Sequence, residues 1–232
     1  MPALPETFNQ IAQLMCQATH EVLWSAYRDD LRSRRARAQL VCRVGGGRAT
    51  YHRYDHRDQR HLITFGVKMV AAKQEARTAA NWLSTREIVG RGYFGGEVSV
   101  LNLLAHTCIH EFAHLLQLQG GKRYHGSVHN RHFYRLLDEL NGNGSAGQVR
   151  RFLADAGTSV GIALDTAPMV LPARQAQAAQ WQRGDHVEFG EGPQAREGVI
   201  LRINRKTCTV EGAGLSRGLR FRVPFVMLRA AA

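Results

Sequence analysis

The chain has 232 residues, 44% of them hydrophobic and 22% charged, enough for one medium domain and a small one, each with an apolar core. No apolar run nears the roughly 18–20 residues that span a bilayer, and no basic-then-apolar leader opens the sequence, so a membrane partner is excluded and a cytoplasmic protein is expected. Lys and Arg outnumber Asp and Glu by 31 to 19, a net +12 that attracts polyanions, nucleic acid first among them.

The four cysteines, Cys16, Cys42, Cys108 and Cys208, are scattered and make no CxxC pair. That spacing argues against a disulfide framework or a cysteine-based zinc ribbon. The basic excess is uneven: from Arg28 to Arg60 ten Arg stand against four Asp. Such a run serves equally as a solvated face or as a surface for phosphates.

In chain order, residues 1 to about 40 read as helix, with Phe8, Ile11, Leu14, Met15, Val22, Leu23, Tyr27 and Leu31 at helical spacing. Two strands follow, Ala49–Tyr54 and His61–Val67, joined by the turn residues 55–59. Gly45-Gly46-Gly47 ahead of them is no phosphate loop, since no Gly-Lys-Ser/Thr follows. An apolar helix is predicted from about Val98 to Gly120, where Gly120-Gly121 ends it, and a second from about His129 to Asn141. Residues 157–180, nearly uncharged and rich in Ala, Gly and Pro, read as a linker. Asp185–Phe189, Gly198–Ile203, Thr207–Glu211 and Leu219–Val223 are short β-prone runs between Gly-rich turns, the pattern of a small barrel of SH3 or KOW type.

Six of the eleven histidines (106, 110, 114, 125, 129 and 132) fall within 27 residues. Among them His110-Glu111-Phe112-Ala113-His114 is an HExxH motif on the predicted apolar helix. Positions four apart on a helix stand one above the other about 6 Å along the axis, so two imidazoles there can share one Zn²⁺. Glu111, one residue on, stands beside such an ion, where a general base takes a proton from water. A chain of this composition yields roughly 0.02 such matches by chance, and the neighbours Thr107, Cys108, Ile109, Phe112, Ala113, Leu115 and Leu116 are uncharged, as a buried site requires. A hydrolytic zinc takes three protein ligands and an open position, and His125, His129 and His132 compete for the third place. His129 is preferred because it opens the second helix, whose Phe133, Leu136, Leu137 and Leu140 form a face that can dock on the first. His132 is its nearest rival, His125 can reach from the loop, and His106 suits an outer role.

TCIHEFAHLL (Thr107–Leu116) and then, with fourteen residues between His114 and His129, the run His129-Asn-Arg-His-Phe resembles the SprT-like zinc metallopeptidases. The resemblance spans roughly residues 5–155 and departs from the family pattern at Asn130, where Gly is usual. It implies His110, His114 and His129 as metal ligands for one Zn²⁺ per chain, Glu111 as catalytic base, and a protein substrate. The tail, with Arg202-Ile-Asn-Arg-Lys-Thr between two strands, resembles the SH3-like barrel appended to some bacterial members. There Arg202, Arg205 and Lys206 at a hairpin are candidates for contact with nucleic-acid phosphates.

The expected architecture is α+β: a zincin-like catalytic domain over 1–156 with two ligand-bearing helices and a small sheet, a linker over 157–180, and an SH3-like or KOW-like barrel over 181–232. The expected activity is zinc-dependent peptide hydrolysis, with DNA-associated or DNA-crosslinked proteins as a substrate class suggested by charge and resemblance. The alternative is a nucleic-acid-binding protein whose zinc site is structural or inactive.

Overall fold

The hydrophobic pattern of the first thirty residues closes into a helix with a fault in the middle. In a computed structural model, which describes residues 4–34, 37–172, 179–190 and 195–231, α1 (Leu4–Ala18) passes through a widened π turn, Thr19–Trp24, into α2 (Ser25–Arg34). At the fault the Thr19 hydroxyl donates to the Met15 carbonyl at 2.7 Å, a side-chain bond that competes with the helical ladder. Ile11, Leu14, Met15, Leu23, Trp24 and Leu31 are buried.

A three-stranded sheet follows: β1 (Gln39–Gly45), β2 (Tyr51–Asp55) and β3 (Arg60–Gly66), in the order β1-β3-β2. The β2–β3 hairpin is antiparallel, whereas β1 runs parallel to β3 and has no counterpart in the sequence reading. Gly66 ends β3 against the glycine turn: a Cβ there would stand 2.4 Å from the Gly47 carbonyl oxygen. In the basic stretch Arg43 donates to Thr64, and Arg28 and Arg60 pair with Asp29 and Asp58; residues 35 and 36 lie outside the described ones.

Val67, the last residue of the predicted second strand, instead opens α3 (Val67–Ala72), and residues 68–97, which carry no predicted element, continue it and form α4 (Ala76–Ala79) and α5 (Leu83–Arg91). They enclose Lys73, which is 1% exposed and donates to Ser84 Oγ at 2.9 Å, to the Leu103 carbonyl at 3.4 Å and to Thr107 Oγ1. Burial brings its pKa down to about 7. An unfolded lysine titrates near 10.4, so between about pH 7 and pH 10 the unfolded chain binds the extra proton and stability rises with pH. Urea unfolding at about pH 7 and about pH 9.5 is expected to show this rise in the wild type and to lose it in Lys73→Met.

The central helix α6 (Val100–Gln119) has one acid, Glu111, and no Lys or Arg, and it is buried on nearly every side. Ser99 caps it by accepting from Asn102 N, and the returning segment after α8 supplies the Asp165 carbonyl to Leu101 N at 3.0 Å. The second helix, α7 (Arg131–Gly142), buries Phe133, Leu137 and Leu140 at i, i+4 and i+7. Asn130 caps it through Oδ1, which accepts from His132 N and Phe133 N. Asp138 tethers α7 to the end of α5, taking Arg91 in two hydrogen bonds (2.6 and 3.0 Å) and the Tyr93 hydroxyl at 2.6 Å. The last helix of this unit, α8 (Ser145–Ser159), packs on α6, α7 and α1.

The chain divides into two compact units, Met1–Met169 and Val170–Ala232. Residues 157–169, read from composition as linker, therefore belong to the first unit: Ile162 and Leu164 are buried, and Met169 N donates to the Val98 carbonyl at 2.7 Å. Part of the remaining linker, 173–178, lies outside the described residues.

The second unit is a five-stranded antiparallel sheet: β4 (His186–Phe189), β5 (Arg196–Ile203), β6 (Thr207–Gly212), β7 (Arg220–Pro224) and β8 (Arg229–Ala230). Its order is β7-β6-β5-β4-β8, so the two-residue β8, which has no counterpart in the sequence reading, returns beside β4 after a 3₁₀ turn at Phe225–Met227. Val187, Phe189, Ile200, Cys208, Val210, Val223, Phe225 and Leu228 form its core. The protein is thus mixed α and β with two small sheets, and among its described residues no helix is long and apolar enough to cross a membrane.

Candidate metal centre

Docking α7 on α6 brings His110, His114 and His129 together. One ring nitrogen from each lies within 4.8 Å of the others. His129 Nε2 stands 3.1 Å from His114 Nε2 and 3.2 Å from His110 Nε2. Phe133, one turn after His129, packs against all three rings, with centroid distances of 4.8 Å to His110, 4.3 Å to His114 and 4.9 Å to His129. The apolar ring gives the cluster a wall that offers no hydrogen bond in place of a metal.

Hydrogen bonds behind the rings decide which nitrogens carry protons. His110 Nδ1 lies 2.9 Å from Glu87 Oε2; a carboxylate accepts, so Nδ1 holds the proton and Nε2 keeps its lone pair. His114 Nδ1 lies 3.3 Å from Gln117 Oε1. The Gln117 amide is oriented by its own donors, which reach the Val128 carbonyl (2.8 Å) and Asn130 Oδ1 (3.1 Å), so its oxygen faces His114. His114 Nε2 is therefore bare as well. His129 has at most one proton at Nε2 to give to two facing lone pairs, and at least one short N···N contact is left without a hydrogen. A cation satisfies all three nitrogens at once, so the residues fit a metal.

Desolvation favours the neutral, ligating form of His114 and His129. It pulls the His114 pKa down to about 3, helped by His110 and Arg123, and it lowers His129 in the same direction.

Glu111, next to His110 on α6, is 6% exposed. Its Oε2 is buried without a hydrogen-bond partner among the described residues. Burial raises its pKa against the opposing pull of His110, Arg123 and Lys73 and of a hydrogen bond from the His52 backbone N–H.

The remaining candidates fall elsewhere. His125 is exposed in the loop before α7. His132 lines a separate groove of about 860 Å³ with Lys122, Arg131 and Arg135, its ring 6.4 Å from that of Tyr124. His106, a turn before His110, is fully buried, and its Nε2 meets Glu87 Oε2 at 2.8 Å. In the second unit Arg202, Arg205 and Lys206 are all exposed, and Arg202 and Arg222 flank Thr209 across three strands.

Three residues of this neighbourhood escape the sequence reading: Glu87, Gln117 and Arg123. Arg123 Nη1 donates to His52 Nδ1 at 2.7 Å and to the His52 carbonyl at 3.3 Å. Because a guanidinium only donates, His52 must pass its Nε2 proton to His61 Nδ1 at 2.9 Å. His61 Nε2 lies 2.9 Å from the Gln119 amide nitrogen, and a His61 that donates from Nε2 requires this amide turned over, so that its oxygen, otherwise without a partner, accepts. This one-way chain pins a guanidinium on the strand that also feeds Glu111. The motif HExxH signals none of these partners; only an acid, an amide and an arginine at ordinary spacings stand in the sequence.

Comparison with known proteins finds no matching family model, no matching curated protein and no matching solved structure.

Proposed function

We propose that the first unit is a zinc-dependent metallopeptidase of SprT-like, zincin-like type. The observation that carries the reading is the convergence of three imidazole nitrogens, two of them bare, on the helix that also bears a buried carboxylate with an oxygen to spare. His110, His114 and His129 would hold one Zn²⁺ per chain, and no fourth His, Cys, Asp or Glu joins that group among the described residues. A triad of this kind suits a catalytic rather than a closed structural site. Zinc bound there supplies a Lewis acid for a carbonyl and lowers the pKa of water to about 7.

The protein's own part is proton handling and positioning. Glu111, kept in a desolvated slot and steadied by the His52 N–H, takes the proton of the attacking water and returns it to the leaving amine. Gln117 and Glu87 keep His114 and His110 turned towards the cluster. Asn130, the departure from the family pattern, serves as cap of α7 and as acceptor for Gln117, so it joins the fold of the helix to the orientation of a ligand. Zinc per chain measured beside cleavage of an unfolded protein tests the reading: one ion with cleavage supports it, and one ion with no cleavage of any peptide bond removes it.

For the second unit we propose an SH3-like barrel that meets nucleic acid without sequence preference. Its strand order, with β8 returning beside β4, supports the fold, and the exposed Arg202, Arg205 and Lys206 support the contact. Replacing those three by Ala is expected to weaken DNA binding and to flatten the plot of log affinity against log salt by about 1 for each phosphate that is no longer neutralised. An unchanged slope would remove these residues from the interface.

A further inference from the structure

Glu87 is a carboxylate in a place that is costly for one. It lies on α5 with Ser84, Thr85 and Ile88 turned inward, and it is 4% exposed. Its ion-pair partners among the described residues are two imidazoles, His106 and His110, both served by the single oxygen Oε2 at 2.8 and 2.9 Å. These rings stand one turn apart on α6, with centroids 6.1 Å from each other. Among the described residues the other oxygen, Oε1, makes no close hydrogen bond and neither does His106 Nδ1, although the Tyr134 hydroxyl also interacts with this carboxylate. A buried acid that gives both its imidazole bonds to one oxygen is poorly explained as packing, since an apolar side chain would cost less there.

Building on the metal reading above, we infer that Glu87 is a positioning residue for the metal, acting through His110. Accepting the Nδ1 proton commits His110 to the tautomer whose Nε2 lone pair faces His114 and His129. It also fixes the plane of the ring, because Nδ1, held by Glu87, and Nε2, which would hold the metal, belong to one rigid ring. A carboxylate behind the ring makes Nε2 more basic and so a stronger ligand. His106 is the second tether: its hydrogen bond to the same oxygen sets the direction from which Glu87 meets His110. One acid on α5 therefore prepares a ligand on α6 before any ion arrives.

The test measures metal rather than turnover. Zinc binding is followed by competition with a chromophoric chelator, and Co²⁺ binding by its visible absorption, on the full chain and on Glu87→Gln and His106→Phe. Glu87→Gln is expected to bind one zinc per chain with affinity lower by about 10–100-fold and to shift the Co²⁺ band. His106→Phe, which removes the tether but keeps the acceptor for His110, is expected to lower zinc affinity by less than Glu87→Gln does, and an equal or larger loss would move the positioning role to His106.

Ring-nitrogen NMR of the wild type gives a reading that survives a variant that will not fold: His110 should carry its proton on Nδ1 with and without zinc. Unchanged zinc affinity in folded Glu87→Gln, or a proton on Nε2 of His110 in the metal-free protein, overturns the positioning role and leaves the peptidase reading standing. Two zinc ions per wild-type chain also overturns it, since Glu87, His106 and His110 would then form an ion site of their own. A wild type that takes up no metal overturns both.

Discussion

Glu111→Gln is expected to lower the rate of peptide hydrolysis by about 10²–10⁴-fold, the usual worth of a positioned general base, while one zinc per chain stays bound. The side chain is 6% exposed and stands outside the three-histidine group, so an amide of the same shape fits without disturbing the ligands. Glutamine can still accept the His52 N–H, but it cannot take up a proton at the pH of the assay. The loss should therefore fall on kcat, with KM little changed. The measurement is zinc content with steady-state cleavage of an unfolded protein and of a DNA-bound one. A variant that cleaves within tenfold of the wild type would show that Glu111 is not the base. A variant that loses zinc would show that Glu111 belongs to the metal site.

His129→Ala is expected to abolish tight zinc binding and the stability that comes with it. An ion that binds only the folded state, at a free concentration 100 times its Kd, stabilises by about 2.7 kcal/mol. For a unit of this size that is roughly 5–10 °C in Tm. Chelation should remove the increment from the wild type, and His129→Ala should lack it from the start. His132→Ala and His125→Ala should keep both zinc and increment, because His132 lines a groove that includes none of His110, His114 and His129, and His125 lies exposed in the loop. Differential scanning of the four proteins with and without chelator decides the matter. An increment lost in His132→Ala and kept in His129→Ala would move the third ligand to His132.

Parts of this molecule were legible because their signal is local. The α6 helix announces itself by twenty residues with one acid and no Lys or Arg, and α7 by Phe133, Leu137 and Leu140 at helical spacing before Asn141 and Gly142. The β2–β3 hairpin and four strands of the second unit follow from β-prone runs between turn residues. β1 was not legible: it follows an arginine-rich stretch, its Val41 is exposed, and its pairing with β3 is parallel and formed across an intervening strand. The two-residue β8 is too short for any period to show. The helices between 67 and 97 were silent for a related reason, being four to nine residues long and held by contacts such as those of Lys73 rather than by a periodic face.

The same division runs through the candidate site. The spacing of His110, Glu111 and His114 is a property of the helix itself, since 3.6 residues per turn places i and i+4 on one side whatever surrounds them. The sequence by itself therefore determined two imidazoles and an acid in fixed relation. It also determined a basic chain with a separate β-rich tail. Which of three later histidines completes the group was decided by tertiary structure, through the cap at Asn130 and the docking of Phe133. So was the orientation of the rings: Glu87 reaches His110 from 23 residues away, which leaves no trace in spacing, and Gln117, though one turn from His114, is turned towards it by Val128 and Asn130 across the docked loop.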